Sequence, residues 1–336
     1  MTQPKPFETI AVIGGGAWGT ALASLCANAG VDTVLWAREN EVVESINTDS
    51  ENTMFLPGAE LPAALKATSS LDEISERAAF LFVAPVQFSR PILAELSTRA
   101  AQNAPVALCS KGLERGSSKF MTEILAETWP GAQPAVLSGP SFAQDVAVGM
   151  PTAVTLACSD ATLGARWRET IGAPHFRPYL SDDLIGAELG GAVKNVLAIA
   201  AGAVSGRGFG ESARAALIAR GFAEFQRLGV ALGAKPQTMA GLAGLGDLIL
   251  TANSPQSRNM SLGFALGQGR SLQDIMAERN TVSEGVATAG AVVQMATEAG
   301  VDVPICRAVA ALVDGAATMD EIVTDLLSRP FKHEGV

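Results

Sequence analysis

The chain has 336 residues, of which 48% are hydrophobic and 17% are charged, and its formal net charge is −10 at pH 7. This length allows two domains of ordinary size, and the apolar content is ample for a large buried core. The negative charge argues against a nucleic-acid partner, because phosphate backbones are bound by clustered lysines and arginines, whereas a small anionic substrate needs only a few local cations.

The first half of the sequence alternates between short apolar stretches and helical segments. Thr9–Ile13 is typical of a buried strand, and residues 17–29 form a helical pattern that stops at Gly30, a common residue at helix C-termini. Further strands are predicted at residues 33–36, 79–83, 106–109, 135–138, 153–157 and 176–179. The alternation predicts a doubly wound α/β fold, in which helices cover both faces of a mostly parallel sheet.

The pattern changes near Ser181. Ser181, Asp182 and Asp183 supply a helix N-cap with an acidic first turn, and an apolar helix follows. Beyond it we find helical periodicity and no convincing strand, at residues 211–232, 262–268, 272–278, 288–299, 304–313 and 319–327. The sequence therefore predicts an α/β domain over residues 1–182 and an all-α C-terminal domain over residues 183–336.

The four cysteines, Cys26, Cys109, Cys158 and Cys306, lie far apart and show no CxxC spacing. We expect them to be buried, reduced thiols, and we expect no metal site. The sequence does not open on a basic segment followed by an apolar one, and we expect no apolar run that approaches the roughly 18–20 residues needed to span a bilayer. These features predict a cytoplasmic protein without a membrane span.

Residues 14–19 read Gly-Gly-Gly-Ala-Trp-Gly and fit the pattern G-x-G-x-x-G. The pattern follows a strand, opens a helix and leads to a second strand, which is the context that binds a dinucleotide pyrophosphate. Gly14 allows the tight turn, Gly16 lets the backbone approach the phosphates, and Gly19 lets the helix pack on the strand. A glycine-rich turn without a ligand is the alternative. In this context we predict an NAD(P)-binding Rossmann domain.

Cofactor preference in such domains is determined at the end of the second strand, about twenty residues beyond the glycines. The sequence there is Ala37-Arg38-Glu39-Asn40. Arg38 stands where a cation meets the 2′-phosphate of NADP, whereas Glu39 is able to bind the ribose hydroxyls of NAD. The residues favour NADP and leave NAD open.

A nicotinamide-dependent alcohol dehydrogenase needs a base for the hydroxyl proton, and histidine is a common one. The two histidines are His175, in an apparent strand, and His333, in a polar tail. We interpret both as structural. Tyr179 lacks a lysine four residues later, so a Tyr-x-x-x-Lys arrangement is absent. A lysine is the remaining candidate for the base.

Lys194 is the one cation of the apolar helix that follows Asp183. Gly190 and Gly191 precede it by four and three positions on the same helix face, and we interpret them as room for a ligand beside the ammonium. Desolvation of a buried ammonium favours the neutral amine, which suits acid–base chemistry. The alternative is a lysine at a helix interface whose ammonium reaches solvent.

Three other segments have the composition of site loops. Two follow predicted strands, Ser110-Lys111-Gly112-Leu113 and Ser138-Gly139-Pro140-Ser141-Phe142-Ala143, and the carboxyl ends of strands are where α/β sheets bind ligands. Farther on, residues 241–247 form a glycine-rich apolar turn ending in Asp247. Ser257, Arg258 and Asn259 then offer a hydroxyl, a guanidinium and an amide, a set suited to a phosphate monoester.

Together these segments resemble the bacterial NAD(P)-dependent glycerol-3-phosphate dehydrogenases over nearly the whole chain. The matching pieces are residues 14–19, 111–114, 138–143, 189–195, 219–221, 243–248, 256–259 and 282–285. The lysine-asparagine and glycine-aspartate blocks, in this order and spacing, are the most specific of them. The resemblance implies a Rossmann domain joined to a helical domain that pairs in a homodimer, and it implies a supply of glycerol 3-phosphate for phospholipid synthesis.

The resemblance also implies residue roles. Lys194 is the expected proton acceptor, with Asp247 orienting it and Lys111 polarising the ketone of dihydroxyacetone phosphate. Expected substrate contacts are Lys111, Gly139, Ser141, Lys194, Asn195, Asp247, Ser257, Arg258 and Asn259. Expected cofactor contacts are Gly14, Gly16, Ala17, Trp18, Gly19, Arg38, Lys111, Ala143, Arg258, Val282 and Glu284.

One departure from the family pattern follows the strand at residues 79–83. The family usually has Val-Pro-Ser there, and this sequence has Ala84-Pro85-Val86, so a loop hydroxyl is lost. Two alternatives remain open. One is a related dehydrogenase acting on a 3-hydroxy acid or a sugar-acid phosphate, since those enzymes also use a helix-borne lysine followed by asparagine. The other is a non-catalytic NAD(P)-binding sensor, against which the joint presence of Lys194, Asp247 and Lys111 argues.

Overall fold

The structure is a computed structural model and describes residues 4–278 and 284–330. Its N-terminal half is built on an eight-stranded sheet. In chain order the strands are β1 Thr9–Ile13, β2 Asp32–Trp36, β3 Lys66–Thr68, β4 Ala79–Phe82, β5 Pro105–Leu108, β6 Gln133–Ser138, β7 Thr152–Ala157 and β8 Phe176–Ser181. The helices between them are α1 Ala17–Asn28, α2 Asn40–Asp49, α3 Val86–Ser97, α4 Met121–Thr128, α5 Ala143–Ala147 and α6 Ala161–Ile171.

The strand order is β3-β2-β1-β4-β5-β6-β7-β8, and every pairing is parallel except that of β6 with β7. The first six strands have the order of a dinucleotide-binding sheet, in which the chain changes direction between β1 and β4. Ile10 to Ile13 of β1 and all of β4 are fully buried, as expected for strands covered on both faces. The predicted α/β class is confirmed.

By internal contacts the chain forms two units. The first comprises Met1–Lys111 and Phe120–Ala187, and the second comprises Gly112–Lys119 and Glu188–Val336. The domain division predicted at residue 183 stays a prediction. The four cysteines are free and buried, as expected, and burial raises the pKa of the Cys26 thiol to about 12.

Within the described residues the second unit contains helices and no strand of the sheet. The helices that follow the sheet are α7 Leu184–Gly206, α8 Glu211–Ala231, α9 Pro236–Ala240, α10 Asp247–Asn253, α11 Arg258–Gly267, α12 Leu272–Ala277, α13 Glu284–Glu298, α14 Pro304–Val313 and α15 Met319–Ser328. A π-helical turn, Leu242–Gly246, joins α9 to α10.

Helix α7 begins after Asp183, whose carboxylate accepts a 2.8 Å hydrogen bond from the backbone N–H of Gly186. This is the N-cap that the sequence predicts. Among residues 4–278 and 284–330, α7 is the one helix that is long and apolar enough to cross a membrane, contrary to our expectation from the sequence. Its most apolar window is 83% buried within the protein, which is the property of a core helix.

Helices α7 and α11 run in the same direction and touch through backbone atoms. A Cβ atom on Gly202 or Gly206 would overlap the carbonyl oxygens of Met260 and Phe264. Conversely, a Cβ atom on Gly263 or Gly267 would overlap the carbonyl oxygens of residues 199 and 203 on α7. We call these four glycines the glycine contact; it lets two helix backbones approach more closely than any side chain allows.

Replacing Gly263 by alanine is expected to lower the free energy of unfolding by about 1–3 kcal/mol, because the added methyl group meets a carbonyl that belongs to a packed helix. Gly290, in the middle of α13, provides the matched control, since nothing lies within 4 Å of a Cβ atom there. Gly290→Ala should raise stability by about 0.5–1 kcal/mol. Urea unfolding of both variants checks the pair, and a neutral Gly263→Ala would contradict the close approach.

The N-terminus of helix α14 is capped by a side chain from another helix. It begins at Pro304, and the residue before it, Val303, provides no capping side chain. Glu224 of α8 accepts hydrogen bonds from the N–H groups of Ile305 at 2.8 Å and Cys306 at 3.2 Å. These are orphan donors of the first turn. Glu224 is only 2% exposed, and burial raises the pKa of its carboxyl group to about 7.

The raised pKa makes stability depend on pH. The unperturbed value is 4.5, so between pH 7 and 4.5 the folded chain holds a proton on Glu224 that the unfolded chain has released. Stability therefore rises as the pH falls through this window, and the gain is absent above pH 7. Relative to Glu224→Gln, the wild type should gain up to about 3 kcal/mol between pH 8 and pH 5. Parallel urea titrations at the two pH values measure this, and a constant difference would contradict it.

Candidate active site

The turn between β1 and α1 is shaped by glycines at residues 14–19, which we call the glycine loop. Gly14 has φ of +126°, and a Cβ atom there would lie 2.8 Å from the backbone nitrogen of Ala84. A Cβ atom on Gly19 would overlap the carbonyl oxygen of Gly14, so the first turn of α1 packs directly on the strand end. Both positions require glycine for a stated steric reason.

Gly16 differs from its neighbours because a Cβ atom there would meet nothing within 4 Å. It is exposed and precedes α1, whose first turn carries no acidic residue. The first N–H groups of a helix have no partner within the helix, and with the helix dipole they favour an anion. An open backbone surface, free donors and the absence of negative charge fit a pyrophosphate. Trp18 is half-buried and packs against the core of the first unit.

Arg38 follows β2, and its guanidinium contacts Glu39 at 2.8 Å. Its side chain is 73% exposed, and its guanidinium carbon lies 5.9 Å from the ring centre of Phe88. Phe88 is itself 48% exposed. Arg38, which favours NADP, and Glu39, which favours NAD, thus form an ion pair beside an exposed aromatic ring.

The loops after β5 and β6 meet at one carbonyl group. Lys111 donates to the carbonyl oxygen of Gly139 at 2.9 Å, and the Ser141 hydroxyl donates to the same oxygen at 3.1 Å. Ala143 begins α5 immediately afterwards. Val86, the residue at which the sequence departs from the expected pattern, is buried in the first turn of α3. The structure therefore brings together Lys111, Gly139 and Ser141, three of the predicted substrate contacts.

Lys194 and Asp247 form a buried ion pair in the second unit. The ammonium lies 2.6 Å from Asp247 Oδ1, and the two side chains are 9% and 1% exposed. Lys194 also donates to the hydroxyl of Thr251 at 3.2 Å, which in turn donates to Asp247 at 3.3 Å. A buried charge pair is stable only when its geometry and extra hydrogen bonds are good. Here helix α10 supplies two partners of the ammonium, one turn apart.

The interpretation of Gly190 as room for a ligand is wrong. A Cβ atom at this position would overlap the carbonyl oxygen of Ala243 and come within 3.1 Å of Gly244 Cα. The space is filled by the backbone of the π-helical turn Leu242–Gly246, and Asp247 follows this turn as the first residue of α10. Gly190 therefore allows the turn to approach α7, and this approach places the carboxylate of Asp247 beside Lys194.

Next to the ion pair, two carboxamides connect three helices. Asn259 of α11 donates to Asn195 Oδ1 at 3.0 Å and accepts from the N–H of Gly285 at 3.1 Å. Asn195 itself donates to the carbonyl oxygen of Gly191 at 3.3 Å. A Cβ atom on Gly285 would lie 2.8 Å from Asn259 Oδ1. In these contacts Asn259 uses one of its two amide N–H groups.

The start of α11 carries the remaining predicted contacts. Ser257 is its N-cap, with its hydroxyl accepting from the N–H of Met260 at 3.2 Å, and Arg258 is the first residue of the helix and is exposed. A helix N-terminus with a cation beside it attracts an anion. Glu284 begins α13, and Val282 lies outside the described residues, as does His333.

Comparison with known proteins decides the family. Models of the family described as NAD-dependent glycerol-3-phosphate dehydrogenase match residues 9–164 with the N-terminal part and residues 183–324 with the C-terminal part. Glycerol-3-phosphate dehydrogenase (NAD(P)+) of Parvibaculum lavamentivorans is 57% identical over 328 residues, 98% of this chain and 98% of that one. This chain belongs to the NAD(P)-dependent glycerol-3-phosphate dehydrogenase family. The resemblance inferred from the sequence is confirmed, and with it the class of an NAD(P)-dependent oxidoreductase.

Two further members of the glycerol-3-phosphate dehydrogenase family are similar to this chain over nearly its whole length. The enzyme of Maricaulis maris is 55% identical over 98% of both chains. The crystal structure of the Coxiella burnetii enzyme matches with a TM-score of 0.92 at 35% identity, and the match covers 96% of this chain and 99% of that one. The relatives support this family over the 3-hydroxy acid and sugar-acid phosphate dehydrogenases.

Three residues that form hydrogen bonds with candidate site residues or with the glycine loop are not predicted by the sequence patterns: Thr251, Gly285 and Asn52. Thr251 lies four residues after Asp247, so a helix continuing through Asp247 would have pointed to it. Gly285 belongs to a matched motif, but nothing in the sequence connects it to Asn259. Asn52 is fully buried and donates to the carbonyl oxygen of Gly15. It lies in a loop 37 residues from its partner, and no local signal indicates that contact.

Proposed function

We propose that this chain catalyses the NAD(P)-dependent interconversion of sn-glycerol 3-phosphate and dihydroxyacetone phosphate. The observation that carries the proposal is the buried pair of Lys194 and Asp247, which lies beside the Asn195–Asn259 contact. A buried lysine held by a carboxylate, in a unit where Asn259 also offers an amide N–H, suits proton transfer on an oxygen near a bound anion. Family membership supplies the substrate class.

Lys194 is the proposed acid–base group. When bound, the nicotinamide supplies the hydride chemistry at C2 of the substrate. In the oxidative direction Lys194 takes the proton of the C2 hydroxyl, and in the reductive direction its ammonium returns that proton. Asp247 holds the amine in place and balances its charge, with Thr251 as a further hydrogen-bond partner. We assign Lys111 the role that the resemblance implies, a second ammonium that stabilises charge developing on the ketone oxygen.

The phosphate group of the substrate is proposed to bind at the start of α11. Arg258 offers a bidentate guanidinium, and Asn259 offers its remaining N–H. The backbone N–H groups of the first turn add to them, and Ser257 fixes the turn as its N-cap. Gly139 and Ser141 stay proposed substrate contacts of the first unit.

The cofactor is proposed to bind with its pyrophosphate on the glycine loop. Its nearby proposed contacts are Gly14, Gly16, Ala17, Trp18, Gly19, Arg38 and Ala143, and those farther along the chain are Lys111, Arg258, Val282 and Glu284. NADP is the proposed preference, because Arg38 turning from Glu39 would meet a 2′-phosphate. We further propose a Rossmann domain over residues 1–182, a helical domain over residues 183–336 that forms a homodimer, and a cytoplasmic role in supplying glycerol 3-phosphate for phospholipid synthesis.

The test is the oxidation of NADPH and of NADH, followed at 340 nm, with dihydroxyacetone phosphate as substrate. Unphosphorylated dihydroxyacetone is the matched control for the phosphate site. We expect turnover that requires the phosphate and a higher kcat/KM with NADPH, and Arg38→Ala should remove most of the NADPH preference. Equal rates with and without the phosphate would overturn the role of Arg258 and Asn259. Turnover of a 3-hydroxy acid but not of the triose phosphate would overturn the substrate.

A further inference from the structure

Asn52 is a fully buried polar residue in the loop between α2 and β3. Its side-chain nitrogen donates to the carbonyl oxygen of Gly15 and to the hydroxyl of Thr20, both at 2.8 Å. Its side-chain oxygen accepts from the N–H of Phe55 at 3.1 Å. Both N–H groups of the Asn52 amide therefore donate to the segment that forms the glycine loop and the first turn of α1. The amide oxygen accepts a hydrogen bond from the loop to which Asn52 itself belongs.

Because the peptide unit is planar, the contact with the Gly15 carbonyl also determines the direction of the Gly16 N–H group. A trans peptide unit is planar, and its C=O and N–H groups point in opposite directions. The carbonyl group of Gly15 and the N–H group of Gly16 belong to one such unit. Because Asn52 holds the carbonyl toward the protein interior, the N–H of Gly16 points the other way. Gly16 itself is exposed, and a Cβ atom there would meet nothing within 4 Å.

Nothing else described in the loop fixes this peptide as firmly. The Thr20 hydroxyl reaches the same carbonyl oxygen at 3.5 Å, the limit of a hydrogen bond, and its main hydrogen-bond partner is Asn52 itself. Gly15 has no side chain that could resist rotation, and a Cβ atom there would lie 2.5 Å from that of Ala37. The conformational freedom that glycine gives the loop is thus limited by one distant side chain.

We propose that Asn52 is a positioning residue for cofactor binding, which holds the N–H of Gly16 ready to donate to the cofactor pyrophosphate. The proposal rests on the dinucleotide-binding part of the proposed function and not on the identity of the substrate. Preorganised backbone donors gain affinity because no rotation has to be frozen when the anion arrives.

Asn52→Asp is the sharpest test, because it keeps the size of the side chain and removes both donors. A carboxylate oxygen would face the carbonyl oxygen of Gly15, and the repulsion would turn the peptide. Dissociation constants are measured by calorimetry for ADP-ribose, which contains the pyrophosphate, and for adenosine 2′-monophosphate, which lacks it. We expect ADP-ribose to bind about 10–100-fold more weakly, as for a lost hydrogen bond to a charged group. The affinity for adenosine 2′-monophosphate should change less than about twofold.

Two further variants separate positioning from stability. Thr20→Val removes the second acceptor of Asn52 and leaves the bond to Gly15, so it should lower the Tm with little change in affinity for ADP-ribose. Asn52→Ala removes the donors without adding charge, and should show the same selectivity as Asn52→Asp if the aspartate variant does not fold. In steady-state assays the loss should fall on the KM for NADPH more than on kcat.

Each outcome decides the proposal. A selective loss of ADP-ribose binding, in protein that keeps its affinity for adenosine 2′-monophosphate, supports it. Equal loss of both ligands, or a lower Tm with unchanged affinity for ADP-ribose, would make Asn52 merely structural and overturn it. If wild-type protein binds neither ligand, the dinucleotide site itself is overturned and the proposal with it. The calorimetric and thermal measurements are independent of turnover, so a wrong substrate would leave them unaffected.

Discussion

Replacing Lys194 by alanine is expected to reduce kcat by at least about 10³-fold while the Kd for NADPH changes less than about twofold. The loss combines that of a general acid–base group, typically 10²–10⁴-fold, with that of a charge next to the reacting oxygen. Cofactor binding should survive because Lys194 is not among the proposed cofactor contacts, and neither are its side-chain partners Asp247 and Thr251. Stopped-flow turnover and NADPH fluorescence titration measure the two quantities.

Lys194→Arg is the matched control. It keeps a positive charge for Asp247, but a guanidinium is not deprotonated near neutral pH and therefore cannot accept the hydroxyl proton. It should therefore be as inactive as the alanine variant while unfolding at a higher urea concentration. Small primary amines added to the alanine variant should restore part of the rate. Equal loss of turnover and NADPH affinity in Lys194→Ala would instead identify the lysine as a structural residue.

Removing the partner carboxylate is expected to be the most destabilising single change near the site. Asp247→Ala takes away the 2.6 Å partner of the buried Lys194 ammonium and leaves the neutral Thr251 hydroxyl beside it. Breaking a buried pair from one side costs about 3–5 kcal/mol, since the remaining charge is not compensated. The rate should fall as well, because the carboxylate that orients the amine is gone. Urea unfolding gives the first quantity and kcat at saturating substrate gives the second.

A double-mutant cycle tests whether the pair is one energetic unit. In Lys194→Met/Asp247→Leu both charges are absent, and replacing a buried pair by apolar residues is often close to neutral. The double variant should therefore be more stable than the single variant Asp247→Leu by about 2 kcal/mol or more, and the effects of Lys194→Met and Asp247→Leu should not add. Simple additivity would show that the 2.6 Å contact contributes little to stability.

How much of the fold was predictable depends on whether the signal is local. The strand Thr9–Ile13 and the glycine loop are recognisable from the sequence because a continuous apolar run and a glycine pattern are local features. Strand β3 is not predicted, because Lys66–Thr68 has only three residues and no apolar run. The turn Leu242–Gly246 has the sequence of a loop, since three glycines in residues 241–247 argue against any helix.

The site shows the same limit. Lys194 is conspicuous in its apolar helix, but its contact with Asp247 spans 53 residues, and only the family resemblance indicates it. The interpretation of Gly190 as room for a ligand is wrong. A sequence shows that this position has no side chain, but it does not show which other part of the protein fills the space beside it. The space is taken by the backbone of Ala243. The hydrogen bond from Asn52 to Gly15 is tertiary and follows from no pattern.

The glycine contact between α7 and α11 has a consequence for how substrate preference can change. Lys194 stands on α7 and Arg258 at the start of α11, and the glycine contact fixes the separation of these helices by main-chain atoms. Exchanging the other side chains between these two helices should therefore leave the spacing of their backbones, and with it the positions from which Lys194 and Arg258 extend, unchanged. Directed evolution toward longer polyol phosphates should find its beneficial substitutions in residues 254–257, ahead of α11, and leave the four glycines untouched.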